Sequence, residues 1–193
     1  RQGNQTTYAE MDRQANQVAH FFASRGIGAD DKVALFLKNS PEHVQTLIAT
    51  IKLRAVPVNV NYRYTDAELE YIFDNSDAAA IIVELPEHQA SVARLLAKLP
   101  MVRAVFVVGA ITDELRDAAA ALDGRTVTLA SFDEVGQYSA ERNFEPRTGD
   151  ELYLLYTGGT TGYPKGVMWR HDDFFRKPIS GGNPYGDPRQ DYA

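Results

Sequence analysis

No cysteine occurs among the 193 residues, which removes a disulfide framework, a thiolate zinc site and a thiol nucleophile from consideration. The absence is compatible with a reducing cytosol, and a cytoplasmic location is expected. Positive charge is in deficit: 20 Lys and Arg against 26 Asp and Glu leave a formal net charge of −6. Such a chain gains no affinity by displacing counterions from nucleic acid, so a general nucleic-acid binder is excluded, while a local positive pocket is not. No apolar run has the length to span a bilayer, and the opening RQGNQTTYAE has no apolar centre of a secretory signal. The histidines His43, His88 and His171 stand at no spacing, to each other or to acids, that builds a zinc site. A nucleophile elbow of the G-x-S-x-G kind is missing as well. The chain opens without methionine and closes in a glycine- and proline-rich stretch, so both ends are expected to be cut.

What is present has globular composition, 44% hydrophobic and 24% charged, and enough length for a sizeable core in one large or two small domains. Thr7-Tyr8-Ala9-Glu10 is a capping box that opens a helix with Met11, Ala15, Val18, Ala19 and Phe22 on one face, and Gly26 stops it. Lys32–Leu37 is continuously apolar, as a strand covered on both faces is. Ser40-Pro41-Glu42 starts a second helix running to about Leu53. Val56–Asn61 follows as a strand, in which Pro57 suits the beginning or a sheet edge. A capping box at Thr65–Glu68 opens a helix bearing Leu69, Ile72 and Phe73. The alternation continues with a strand at Ala79–Glu84, a helix at Glu87–Leu99, a strand at Arg103–Val108, a weaker helix at Thr112–Leu122 and a short strand at Thr126–Leu129. A polar connection, Gly136–Asp150, leads to a buried strand at Leu152–Tyr156. Alternating strands and helices require crossover connections, hence an α/β fold with a largely parallel sheet flanked by helices.

That last strand feeds the most informative stretch, Thr157-Gly158-Gly159-Thr160-Thr161-Gly162-Tyr163-Pro164-Lys165-Gly166, whose composition predicts an irregular loop over 157–166. Glycines let backbone N–H groups approach an anion, threonine hydroxyls add donors, and Lys165 supplies a compact positive charge. Hydrogen bonds to a charged partner contribute roughly 1.5–3 kcal/mol each, so converging donors here suit a triphosphate. A Walker loop is ruled out because Gly166, not Ser or Thr, follows Lys165. The dinucleotide fingerprint fails on both glycine order and position. The plain alternative is a turn between two strands that happens to carry a lysine.

YTGGTTGYPKG, residues 156–166, resembles the phosphate-binding loop, usually written YTSGTTGxPKG, of the adenylate-forming superfamily, and departs from it only at Gly158, where serine is usual. VMWRHDDFF after the loop is similar to the bacterial fatty-acyl-CoA synthetase branch. TTYAEMDRQANQVAHFFASRGI and KLRAVPVNVNYRYTDAELEYIFDNSDAAAIIV resemble the superfamily's upstream segments, so the likeness covers nearly the whole chain, least diagnostically over 100–150. The resemblance implies the fold of that superfamily's large N-terminal domain, present only in part over 1–193. It implies activation of a carboxylic acid by ATP and magnesium to an acyl-adenylate, followed by transfer to coenzyme A, the acid being a fatty acid or a sterol side-chain acid. Thr157, Gly158, Gly159, Thr160, Thr161, Gly162 and Lys165 would hold the phosphates, with Thr160 as a magnesium ligand. The adenine contacts, the acyl pocket, the acidic metal ligand and the adenylation lysine would lie downstream, so these residues alone are expected to be inactive. A fatty-acyl-AMP ligase and a non-catalytic nucleotide-binding or scaffold module are the alternatives, and homo-oligomer formation stays open.

The remaining candidates have structural readings. Asn59, Asn61, Tyr62 and Arg63 read as a strand end, a turn and the approach to a helix cap. His20 reads as a satisfied or half-exposed helix residue, Asp172 and Asp173 as acids opening a helix, and Tyr163 as the variable position of the loop.

Overall fold

The computed structural model describes residues 5–157 and 163–178. The strands are β1 (Lys32–Phe36), β2 (Val56–Asn59), β3 (Ala78–Val83), β4 (Ala104–Val107), β5 (Thr128–Ser131), β6 (Leu152–Thr157) and β7 (Lys165–Arg170). The helices are α1 (Tyr8–Ala23), α2 (Pro41–Lys52), α3 (Asp66–Asn75), α4 (Pro86–Leu95), α5 (Asp113–Ala120) and α6 (His171–Arg176). One sheet takes all seven strands in the order β5-β4-β3-β1-β2-β6-β7. Neighbours pair in parallel except β6 with β7, which form an antiparallel hairpin. The expected parallel α/β sheet is therefore present, closed at one edge by a reversed strand.

The continuous apolar strands are covered on both faces. Val33 and Leu35 of β1, Ala80 and Ile82 of β3, and Ala104 and Phe106 of β4 join Val18, Phe21 and Phe22 of α1 in one core. The alternate residues Ala34, Phe36, Ile81, Val83, Val105 and Val107 join Leu69, Ile72 and Phe73 of α3 and Val92 of α4 in the other. Period-two alternation thus deals each strand's side chains to opposite layers. Among the described residues no helix is long and apolar enough to cross a membrane.

Both capping boxes form as the residue spacing predicts. Glu10 accepts from the Thr7 N–H at 2.8 Å while Thr7 Oγ1 accepts from the Glu10 N–H at 3.2 Å. Thr65 and Glu68 repeat the arrangement at the start of α3. Thr65→Ala is expected to lower stability by about 1 kcal/mol, read as a shift in the urea midpoint. Gly26, at φ +77°, follows the end of α1 in the left-handed region that favours glycine.

Several boundaries differ from expectation. β2 ends at Asn59, and Pro57 lies inside a central strand. The N–H groups of Val56 and Val60 donate to Asp31 and Leu35 on the β1 side. Alternation therefore turns the missing donor of Pro57 toward β6, whose pairing begins only at Val58, and no ladder bond is lost. The helix expected over 87–99 starts one residue earlier, at Pro86, and tightens into a 3₁₀ turn over Leu96–Lys98. β5 starts two residues later than expected. Arg125 donates to the carbonyls of Leu99 and Val102, and the β4 ladder begins at the pair Ala104 and Thr128.

The connection before β6 is not a free linker. Asn16 and Gln17 of α1 donate to the carbonyls of Ala140 and Tyr138. His20 meets the Glu141 carbonyl at 3.1 Å and packs its ring at a tilt against Phe144. His20 is thus the satisfied helix residue expected.

Candidate functional site

β6 lies beside β2, with Val58 opposite Leu154 and Asn59 opposite Leu155, and it runs out at the carboxyl edge of the parallel sheet. Ligands of open α/β sheets bind outside that edge. Thr157 closes β6 and Lys165 opens β7, and the two are register partners across the neck of the hairpin. Direct partners in an antiparallel pair project to the same face with Cβ atoms about 5 Å apart. The hydroxyl-bearing and ammonium-bearing side chains therefore leave the backbone side by side, both on exposed residues, and the Thr157 hydroxyl donates to the Lys165 carbonyl at 3.4 Å. Gly158, Gly159, Thr160, Thr161 and Gly162 lie outside the described residues.

The irregular loop expected over 157–166 is narrower than its composition indicates. Thr157, Lys165 and Gly166 are strand residues, while Tyr156 lies in β6 as the strand over 152–156 predicts. The reason lies at the pair Tyr156 and Gly166. A Cβ built on Gly166 would come within 3.2 Å of Tyr156 Cζ, so a glycine here admits an aromatic ring against the β7 backbone. The ring cannot easily give way, because Tyr156 is buried and its hydroxyl donates to Asn75 Oδ1 at 2.8 Å. Gly166→Ala is expected to lower the unfolding free energy by about 1–2 kcal/mol, a crowding effect read by urea denaturation. Burial first, with the nearby Tyr71 and Asp77, pushes the Tyr156 phenol up to about 12, so it stays a neutral donor.

On the descending limb, the Tyr163 ring stacks on Tyr71 of α3 with centroids 4.6 Å apart and planes at 26°. Tyr71 and Asn75 stand four residues apart on one face of α3. Each holds one limb of the hairpin. Neither stands out in sequence. Their spacing places them on one helical face, but nothing local says that β6 and β7 will lie against it.

The opposite end of the hairpin is tied by Glu151. Its carboxylate accepts from the N–H groups of Thr148 and Gly149 and from Arg54 Nε, at 2.8–3.1 Å. Burial alone would raise its pKa, but the Thr148 and Gly149 amides and the Arg54 guanidinium outweigh burial and hold it at about 2. The His171 N–H donates to the Glu151 carbonyl, so His171 belongs to this anchor and not to the loop.

The other sequence candidates resolve into structural roles. Asn61 Oδ1 accepts from the Arg63 N–H at 3.0 Å, and Arg63 covers and bonds Tyr62, which is the turn leading to the Thr65 cap. Asn59 ends β2. His43 lies in the first turn of α2, and His88 is buried against Phe36. Asp172 and Asp173 occupy the first turn of α6 and pair with Arg176 and Lys177. No group of three or more His, Cys, Asp or Glu that could hold a metal occurs among the described residues.

Burial lowers the pKa of His88 and His171 from the ordinary 6.5, with Arg147 adding to the effect at His171. The unfolded chain therefore takes up protons at these sites at a higher pH than the folded one, and stability falls as pH drops below 6.5. A lower urea midpoint at about pH 5 than at about pH 7 is the expected result.

The family described as AMP-binding enzyme matches residues 1–185. Over 174 residues the chain is 44% identical to a 3-oxocholest-4-en-26-oate--CoA ligase of Rhodococcus rhodochrous, covering 90% of this chain and 30% of the relative. It is 40% identical to a medium/long-chain-fatty-acid--CoA/3-oxocholest-4-en-26-oate--CoA ligase of Mycolicibacterium smegmatis, covering 98% and 33%. The chain thus spans about a third of the length of these curated relatives. Among solved structures it is similar to ATP-bound MatB from Rhodopseudomonas palustris, with a TM-score of 0.73, 26% identity and coverage of 94% of this chain and 33% of that one. An anthranilate CoA ligase in complex with anthranoyl-AMP shares the fold at a TM-score of 0.76 and 24% identity, covering 93% and 33%.

Proposed function

The chain belongs to the AMP-binding enzyme family, and from that membership we propose that the whole protein is an acid–thiol ligase. It joins a fatty acid or a sterol side-chain acid to ATP as an acyl-adenylate and transfers the acyl group to coenzyme A. The observation that carries the reading is the pairing of Thr157 with Lys165 at the neck of the glycine–threonine loop, on the carboxyl edge of the sheet. Positive charge and hydroxyl donors fixed there before reaction stabilise the negative charge that shifts onto the departing pyrophosphate. Thr157, Gly158, Gly159, Thr160, Thr161, Gly162 and Lys165 form the phosphate site in this proposal. The amide, hydroxyl and ammonium donors suit phosphate oxygens. Magnesium would enter with the nucleotide, with the Thr160 hydroxyl as its ligand from the protein. The choice of a fatty or sterol acid follows the substrates named for the two curated relatives.

Residues 1–193 form an incomplete N-terminal domain in this reading, and catalysis requires the remaining length found in the relatives. The test is acid-dependent ATP–pyrophosphate exchange by the full-length protein, offered medium- and long-chain fatty acids, a sterol side-chain acid and an aryl acid, with analysis of the products. Exchange with a fatty or sterol acid and formation of its CoA thioester is the expected outcome. Acyl-AMP without acyl-CoA would replace the reading with a fatty-acyl-AMP ligase, and no exchange with any acid would leave a non-catalytic nucleotide-binding or scaffold module.

A further inference from the structure

We propose that α3 is the positioning element of the phosphate loop, acting through Tyr71 and Asn75. The inference rests on the ATP-dependent reading above and adds residues to it. The two lie one helical turn apart on α3, the first stacked on Tyr163 of the descending limb and the second bonded to Tyr156 of the ascending limb. The limbs are thereby held to a single rigid helix from both sides of the neck formed by Thr157 and Lys165. α3 is itself fixed by Leu69, Ile72 and Phe73, all buried in the core, and by its capping box.

The Tyr163 contact is not core packing. Tyr163 is 58% exposed, and its ring stacks on Tyr71 at the rim of an open hollow lined by Ala67, Glu70, Asp74 and Lys98. A tyrosine at this position supplies a flat ring that a small residue would not. Gly158, Gly159 and Gly162 stand between the two attachments, and glycine is the residue type that loses most conformational freedom on being ordered. Holding the ends of this stretch in advance reduces what ligand binding must order, and it keeps the Lys165 ammonium where charge develops.

The test uses the full-length protein carrying Tyr71→Ala, Tyr163→Ala, Tyr163→Phe, Asn75→Ala or the Tyr71→Ala/Tyr163→Ala pair. Loss of one aromatic stack is expected to raise the KM for ATP about fivefold in either single tyrosine variant. The KM for the acid should stay unchanged. Tyr163→Phe should retain the wild-type value because the stack survives, and the double variant should match either single one, because the same contact is lost only once. Asn75→Ala should raise the KM for ATP to a similar extent. In the absence of ligands, amide hydrogen exchange at residues 163–168 should accelerate in the alanine variants while β1 and β3 keep their protection.

Unchanged amide exchange in Tyr71→Ala and Tyr163→Ala would overturn the attachment itself, whatever the activity. Faster exchange with an unchanged KM for ATP would reduce it to a structural contact and overturn the positioning role. A wild-type protein that shows no pyrophosphate exchange with any acid would instead bring down the functional reading, and the positioning role with it.

Discussion

Lys165→Ala in the full-length protein is expected to lower acid-dependent ATP–pyrophosphate exchange by about 10²–10³-fold, the range seen when one fixed electrostatic donor is removed from a developing anion. Lys165 opens β7 directly opposite Thr157, so its Cα is set by strand pairing and its side chain alone is free to meet the phosphates. Neither partner is buried, so the substitution leaves no orphaned group in the core, and unfolding should be almost unaffected. That separation makes the variant diagnostic. Loss of exchange with an unchanged urea midpoint locates the effect in chemistry, whereas wild-type exchange would remove Lys165 from the site. Lys165→Arg should recover only part of the activity, because a planar guanidinium does not reproduce a compact ammonium on a flexible stem.

Glu151→Ala is expected to destabilise the fold by about 3 kcal/mol, the lower end for breaking a buried charge pair. The amides of Thr148 and Gly149 and the Arg54 guanidinium would lose their common acceptor. Glu151→Gln keeps an acceptor oxygen and should cost less. Since the carboxyl titrates at about 2 in the folded protein against 4.5 ordinarily, its contribution is fully present above 4.5 and is lost as pH falls through 2. The linked stabilisation is on the order of 3 kcal/mol. Urea denaturation across that range should show the wild-type and Glu151→Gln curves converging toward acid pH. Curves that stay parallel would mean that the carboxylate charge is not what these donors hold.

Glu151 shows the limit of reading the chain linearly. Its three donors come from Thr148 and Gly149, a few residues away, and from Arg54, far upstream. The near pair has the look of a local turn, but Arg54 reaches it only because β6 enters the sheet beside β2. The hairpin has the same character. Glycine, threonine and lysine between two apolar stretches are what point to Thr157 and Lys165 as candidates for anion binding. They did not reveal that Lys165 and Gly166 would be strand, because that depends on the Tyr156 ring facing Gly166. Pro57 is a third case: its place within a central strand is permitted by which neighbour its missing N–H faces.

Features that act within one turn of chain were settled by residue order. The capping boxes at Thr7 and Thr65 and the stop near Gly26 rest on contacts between residues a few positions apart, whose geometry the backbone dictates, and the apolar strands and their alternation with helices are patterns read directly from residue order. The attachment of the loop to α3 was not settled in this way. Tyr156 and Asn75 are separated by 81 positions, and they meet because the sheet inserts β6 next to β2, the strand that precedes α3. Strand order follows from the burial of both sheet faces at once, a property of the whole packed domain, so only the assembled structure brings Tyr71 and Asn75 to Tyr163 and Tyr156.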